Sequence, residues 1–349
     1  MIHLKLEIDM KVKNISKVNG PLAIRDPFIL ASTISDVYPK GNGKMAPEYY
    51  LPNRNPGADF APNLPWRMYH GDTIPGFPQH PHRGFEIVTI VPEGYADHFD
   101  SKGSKGRYGN GDAQLMSVGS GVIHSEMFPL LDDEKENPFR LFQIWVNLPS
   151  KSKLTDPEYK MLWNEKIPVA IDKDQNGNEV KVKVIVGEYN GVKALGTLKH
   201  SWAADPKNNM GIALVEMDAN TVFTLPAKSA TMNRFVLYYE GNDVVEVDGY
   251  KMQTNFLADL GGNEAITIKS GKGSAKLLIL EGEPINEPVA AHGPFVMNTQ
   301  RELQEAFAEY QRTGFGGWPW GKKESDIVNP KDARRFASYD FDKVVERPE

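Results

Sequence analysis

Short runs rich in Val, Ile, Thr and Phe recur along this chain, with Gly and Pro punctuating the stretches between them. Phe85–Val91, Leu141–Val146, Val182–Val186, Arg234–Tyr239 and Ala275–Leu280 are the clearest. Each has the length of a strand and is too short for a helical repeat, so the pattern predicts an all-β fold, a sandwich or barrel. The 349 residues suffice for two domains of ordinary size. Ile2, Leu4, Leu6, Ile8, Met10 and Val12 alternate with His3, Lys5, Glu7, Asp9 and Lys11. That period of two predicts a half-buried strand, and it lacks the unbroken apolar core of a signal peptide. Asp100–Asp112, DSKGSKGRYGNGD, reads as turn chemistry.

Three segments depart from this rhythm. Tyr38–Trp66 carries Pro47, Pro52, Pro56, Pro62 and Pro65 and predicts a long loop, either a functional rim or a mobile segment. Thr299–Thr313 predicts a helix: Thr299 and Glu302 have capping-box spacing, and Leu303, Ala306, Phe307 and Tyr310 form one apolar stripe. Beyond Gly317 the polar tail reads as an extended wrap over the surface.

Charge and missing residue types exclude several functions. A net charge of -6 disfavours direct nucleic-acid binding, which needs a basic surplus. No apolar stretch is long enough to span a bilayer, so no membrane partner is expected and the expected location is cytoplasmic. There are no cysteines, which removes thiolate metal sites, Fe–S clusters and cysteine nucleophiles and leaves His, Asp and Glu as ligands.

Those ligands group at strand spacing. In "HPHRGFE" (His80–Glu86), His80, His82 and Glu86 share one face of an extended strand by parity, with Arg83 and Phe85 on the other. In "GSGVIHSEMFP", His124 and Glu126 again lie two apart. Two such strands meeting inside a barrel offer three imidazoles and one carboxylate, which suits a divalent first-row metal and is poor for Mg or Ca. His98, beside Asp97 and Asp100, reads as a structural hydrogen-bonder; His3, His70, His200 and His292 read as isolated. A faint repeat sets "HPHRGFEIVTIVPEG" over "AKSATMNRFVLYYEG", aligning His80, His82 and Glu86 with Ala227, Ser229 and Asn233. A duplicated second barrel would have lost its cation-binding groups.

With "HPHRGFE", "GDAQ" (Gly111–Gln114), "GSGVIHSEM" (Gly119–Met127), "FQIWVNLP" (Phe142–Pro149), "EPVAAHGPFVMNT" (Glu287–Thr299) and the later "GFGG", the chain resembles the pirin family of the cupin superfamily from about Ile24 to Gly317. The resemblance implies a bicupin, two antiparallel jelly-roll β-barrels face to face with a C-terminal helix. The expected boundaries are 1–157 for the metal-bearing barrel, 158–298 for a metal-free one, and 299–349 for the helix and tail. It implies a mononuclear iron, Fe(II)/Fe(III), on His80, His82, His124 and Glu126, with Zn, Mn, Ni or Cu as alternatives, and Glu86 behind the ligands rather than among them. The chain departs from the family in a longer front end, in "FEIVTIV" where a Thr and an aromatic are commoner, and in the residues after Gly317.

Three functions follow. The first is quercetin 2,3-dioxygenase-like chemistry on a flavonol or other small aromatic substrate with O2, Glu126 serving as ligand and as base. The second is a non-enzymatic redox sensor presenting its surface to a protein partner. The third is a structural metal. Gln143 lies in a matching motif with no role assigned to it.

Overall fold

Alternation and turns decide the architecture. The computed structural model describes residues 11–18, 20–321 and 326–348. All five apolar runs lie within strands: Phe85–Glu93, Asn137–Asn147, Glu179–Val186, Asn233–Gly241 and Ala275–Gly282. These belong to two stacked pairs of sheets. The first barrel joins a six-stranded sheet, which has Phe85–Glu93 between Asp112–Ser117 and Asn137–Asn147, to a second six-stranded sheet holding Gly76–His82 and Val122–Met127. The second barrel joins a seven-stranded sheet to the four-stranded sheet that includes Val222–Leu225 and Ile266–Lys269.

The repeat is visible in the topology. Asn233–Gly241 sits between Phe256–Leu260 and Ala275–Gly282, the place that Phe85–Glu93 holds in its own sheet. Strands buried on both faces explain why these runs are almost continuously apolar. One face of Phe85–Glu93 lines its barrel. The other, with Val88 and Ile90, packs with Phe142 and Ile144 against Ile212, Phe235, Leu237 and Leu280 of the second barrel. The two barrels therefore meet sheet to sheet through a shared apolar layer, separate from the interior of either.

The expected boundary after residue 157 is crossed in both directions. Val12–Lys17 pairs with Phe256–Leu260 in the second barrel, while Glu158–Leu162 pairs with Asp112–Ser117 in the first. Each supplies an edge that the sheet would otherwise expose. The alternation over residues 2–10 lies outside the described residues.

One turn-like reading is corrected and one extended reading gains detail. Asp100–Asp112 contains a strand, Lys105–Gly109, which pairs with Tyr95–Asp100 and sets Arg107 against Asp97 across the pair. The tail does wrap the first barrel, but it also adds strands Phe336–Tyr339 and Val344–Glu346 to the edge at Lys105–Gly109. Buried Arg107 holds it there, donating to the carbonyls of Asn329, Pro330, Lys331 and Ala333 while paired with Asp97. The helix forms over Gln300–Thr313 with Thr299 and Glu302 completing the capping box, and Leu303 and Ala306 buried. No helix among the described residues is long and apolar enough to cross a membrane.

Candidate metal centre

The cluster is built by register. Gly76–His82 and Val122–Met127 run antiparallel with His80 opposite His124, so their side chains meet on one face. A bulge between Phe77 and His80 re-aims the end of the first strand, and His82 follows His80 on the same face. The three imidazoles converge on the barrel interior: one ligand nitrogen from each lies within 4.8 Å of the other two. Nε2 of His80 and Nε2 of His124 are 3.0 Å apart.

Backbone carbonyls fix which nitrogen each ring presents. His80 Nδ1 donates to Pro78 O at 2.8 Å and His82 Nδ1 to Pro294 O at 3.1 Å, leaving both Nε2 lone pairs for the centre of the cluster. Burial keeps the rings neutral, pushing His80 down to about 4 and holding His82 and His124 well below the ordinary histidine value. Three neutral imidazoles with their lone pairs gathered and no cationic side chain among them are a donor set that fits a transition metal ion.

Glu126 stands beside this group. Its Oε2 is 3.9 Å from His124 Nε2 and accepts from Gln143 Nε2 at 2.7 Å, and its Oε1 accepts from Thr89 at 3.4 Å. Burial raises its pKa, against the opposing pull of His98, Gln143 and Thr89. Gln143, which the sequence reading left without a role, is the hydrogen-bond donor to this carboxylate. The available signal was a polar residue at an inward position of an otherwise apolar strand, in step with Leu141 and Trp145.

Glu86 is not where strand parity put it. The ligand strand stops at His82, Gly84 turns with φ +89, and a new strand begins at Phe85. A Cβ on Gly84 would lie 2.0 Å from Val296 O, so this close approach requires glycine. The turn reverses the faces. Phe85 packs its ring 5.2 Å from His82 and 4.3 Å from Trp145, inside the barrel. Glu86 points to the layer between the barrels, 2 % exposed, with its pKa raised by burial to about 7 against the opposing pull of Ser201. Arg83 does face away from the cluster, donating to Ser120 O and Glu309 and lying over Phe315.

Of the other histidines, His98 donates to Asp100 and stacks on Tyr159, as a structural hydrogen-bonder should, with its ring 5.6 Å from that of His124. His70 is not isolated: it packs on Phe60 and Phe77, and Phe77 touches His80. His292 is exposed beside Phe307, and His3 lies outside the described residues.

Two jelly-roll barrels, with a histidine cluster inside the first and, among the described residues, a buried Arg234–Glu281–Lys228 ion-pair group but no such cluster inside the second, define a bicupin. The family models agree: residues 22–146 match Pirin and residues 212–316 match the Pirin C-terminal cupin domain, and the chain belongs to the pirin family. It is 38% identical over 245 residues to Pirin-1 of Arabidopsis thaliana, covering 69% of this chain and 78% of that one. A pirin-like protein of Caulobacter vibrioides is 36% identical over 248 residues, 70% of this chain and 82% of the other. Among solved structures, a quercetin 2,3-dioxygenase from Acinetobacter baumannii superposes with a TM-score of 0.68 at 26% identity, covering 88% of this chain and 98% of that one.

Proposed function

We propose that the chain is a mononuclear iron protein with quercetin 2,3-dioxygenase-like activity, in which His80, His82, His124 and Glu126 hold the metal and a flavonol-like aromatic and O2 are the substrates. The observation that carries this reading is the pairing of three convergent imidazoles with a carboxylate that already has a dedicated donor in Gln143. The likeness to a quercetin 2,3-dioxygenase structure supports the substrate class.

Iron bound here would supply a coordination site for the ionised substrate oxygen and for dioxygen, and the means to exchange electrons between them. The chain does the rest. Glu126 takes the substrate's hydroxyl proton onto a carboxylate oxygen, a role that its raised pKa favours. Gln143 holds Oε2 so that the carboxylate keeps its orientation as it gains and loses that proton. Phe85, Ile87 and the partly exposed Trp145 form an apolar wall beside His82 that limits water.

The test supplies iron-loaded protein with quercetin and follows O2 uptake and loss of the flavonol absorbance. Turnover above that of free iron, abolished in Glu126→Gln, is expected; a rate equal to free iron removes this substrate.

A further inference from the structure

The geometry points to Phe60 and His70 as an aromatic clamp at the entrance of the metal centre, gripping the outer ring of a planar, hydroxylated aromatic whose other end reaches the histidines. The clamp rests on the oxygenase reading for what happens at the reacting end, but not for the grip itself.

Access comes from one side. Of the three clustered histidines, His80 alone is partly exposed. On that side the ring of Phe77 lies 6.3 Å from His80, and Phe60 and His70 lie 6.2 and 5.5 Å from Phe77 and 4.9 Å from each other. These spacings are those of edge-on and tilted aromatic contacts, so the rings form a continuous aromatic surface running from His80 out to solvent-exposed Phe60. Phe60 belongs to the proline-rich segment and His70 to the turn that follows it.

The outermost ring is exposed but its backbone is not free. Phe60 is 45% exposed, whereas neighbouring Asp59 is 2% exposed. Asp59 exchanges both backbone hydrogen bonds with Tyr69, and its carboxylate accepts from the N–H of Met68 at 3.0 Å. Tyr69 adopts φ +57, an uncommon conformation for so bulky a residue. Its hydroxyl donates to Asp36 at 2.6 Å and its ring stacks on Phe77 at 5.3 Å, which hold it there. Behind His70, the Asp326 carboxylate accepts from the N–H groups of Asp72, Thr73 and Ile74 and pins the turn leading into the ligand strand. A large ring carried on fixed backbone and left in water loses little freedom when a ligand covers it. His70 Nδ1 donates to Gly57 O, so Nε2 is the ring's acceptor, suited to a ligand hydroxyl.

The test titrates iron-loaded protein under argon with quercetin, read by its absorbance shift, and separately with azide, which reports on the metal without reaching the rim. Phe60→Ala and His70→Ala are compared with the parent. The clamp predicts that Phe60→Ala weakens quercetin roughly fivefold to tenfold, the scale of one lost aromatic contact, with azide binding unchanged. Equal quercetin affinity in parent and variant overturns it, as does a parent that binds no quercetin. A parallel fall in azide binding and metal content also overturns it, because that is the mark of a structural role. Quercetin binding without O2 uptake, weakened in Phe60→Ala, supports the clamp and removes only the oxygenase reading.

Discussion

His80 and His82 show how much a single residue's backbone neighbours decide. Their Nδ1 atoms are committed to Pro78 O and Pro294 O, so replacing either ring removes a donor to the cluster, and replacing His82 also removes a tether to a distant segment. His82→Ala is expected to lower metal affinity at least tenfold, measured by metal content after dialysis against a chelator. Glu126→Gln should keep a larger share of its metal and lose turnover. Glu86 makes a different prediction. Folding raises its pKa from near 4.5 to about 7, so the native state favours the protonated form. Below pH 4.5 folded and unfolded chains both carry the proton and the carboxyl costs nothing. As pH rises towards 7 the unfolded chain releases it first, and stability falls by up to roughly 3 kcal/mol. Glu86→Gln should therefore raise the melting temperature at pH 8 and leave it nearly unchanged at pH 4.5. The clustering of the histidines was legible because parity within one strand is a local rule. Glu86 was misplaced because Gly84 interrupts that rule, and the need for a turn there arises from Val296, far away in the chain.

Elements around the centre are fastened by polar groups that a period-based reading passes over. Lys153 is 1% exposed and donates to Gly84 O, Asn147 Oδ1 and Val296 O, joining the turn after His82 to the segment that carries Pro294. Burial lowers its pKa to about 8. Lys153→Met leaves three acceptors without a donor, and a loss of about 3 kcal/mol is expected in thermal or denaturant melts, together with weaker metal retention through displaced Pro294. The helix over Gln300–Thr313 is the opposite case, since its cap, stripe and end were all local. Thr299→Ala should cost about 1 kcal/mol, read from the same melts. Lys105–Gly109 escaped notice because its strand character comes from partners across the sheet, and Gly and Lys propensities argue against it.

At the scale of the molecule, the layer shared by the two barrels and the crossing of chain ends make one unit of two repeats. The apolar runs announced the barrels, but which strand completes which sheet depends on contacts between residues more than 200 apart, such as Lys17 with Phe256 and Ala337 with Gly106. Removing residues 326–349 strips Arg107 of four carbonyl acceptors and uncovers the edge at Lys105–Gly109. That truncation is expected to lower stability by at least about 3 kcal/mol and to promote association of the exposed edge, seen by melting and light scattering. The same exchange of strands bears on how the protein is made. During synthesis the half with the histidine cluster emerges first, yet its outer sheet stays open until residues 336–346 have left the ribosome. The maturation of its histidine pocket is thus timed by a segment more than 200 residues downstream.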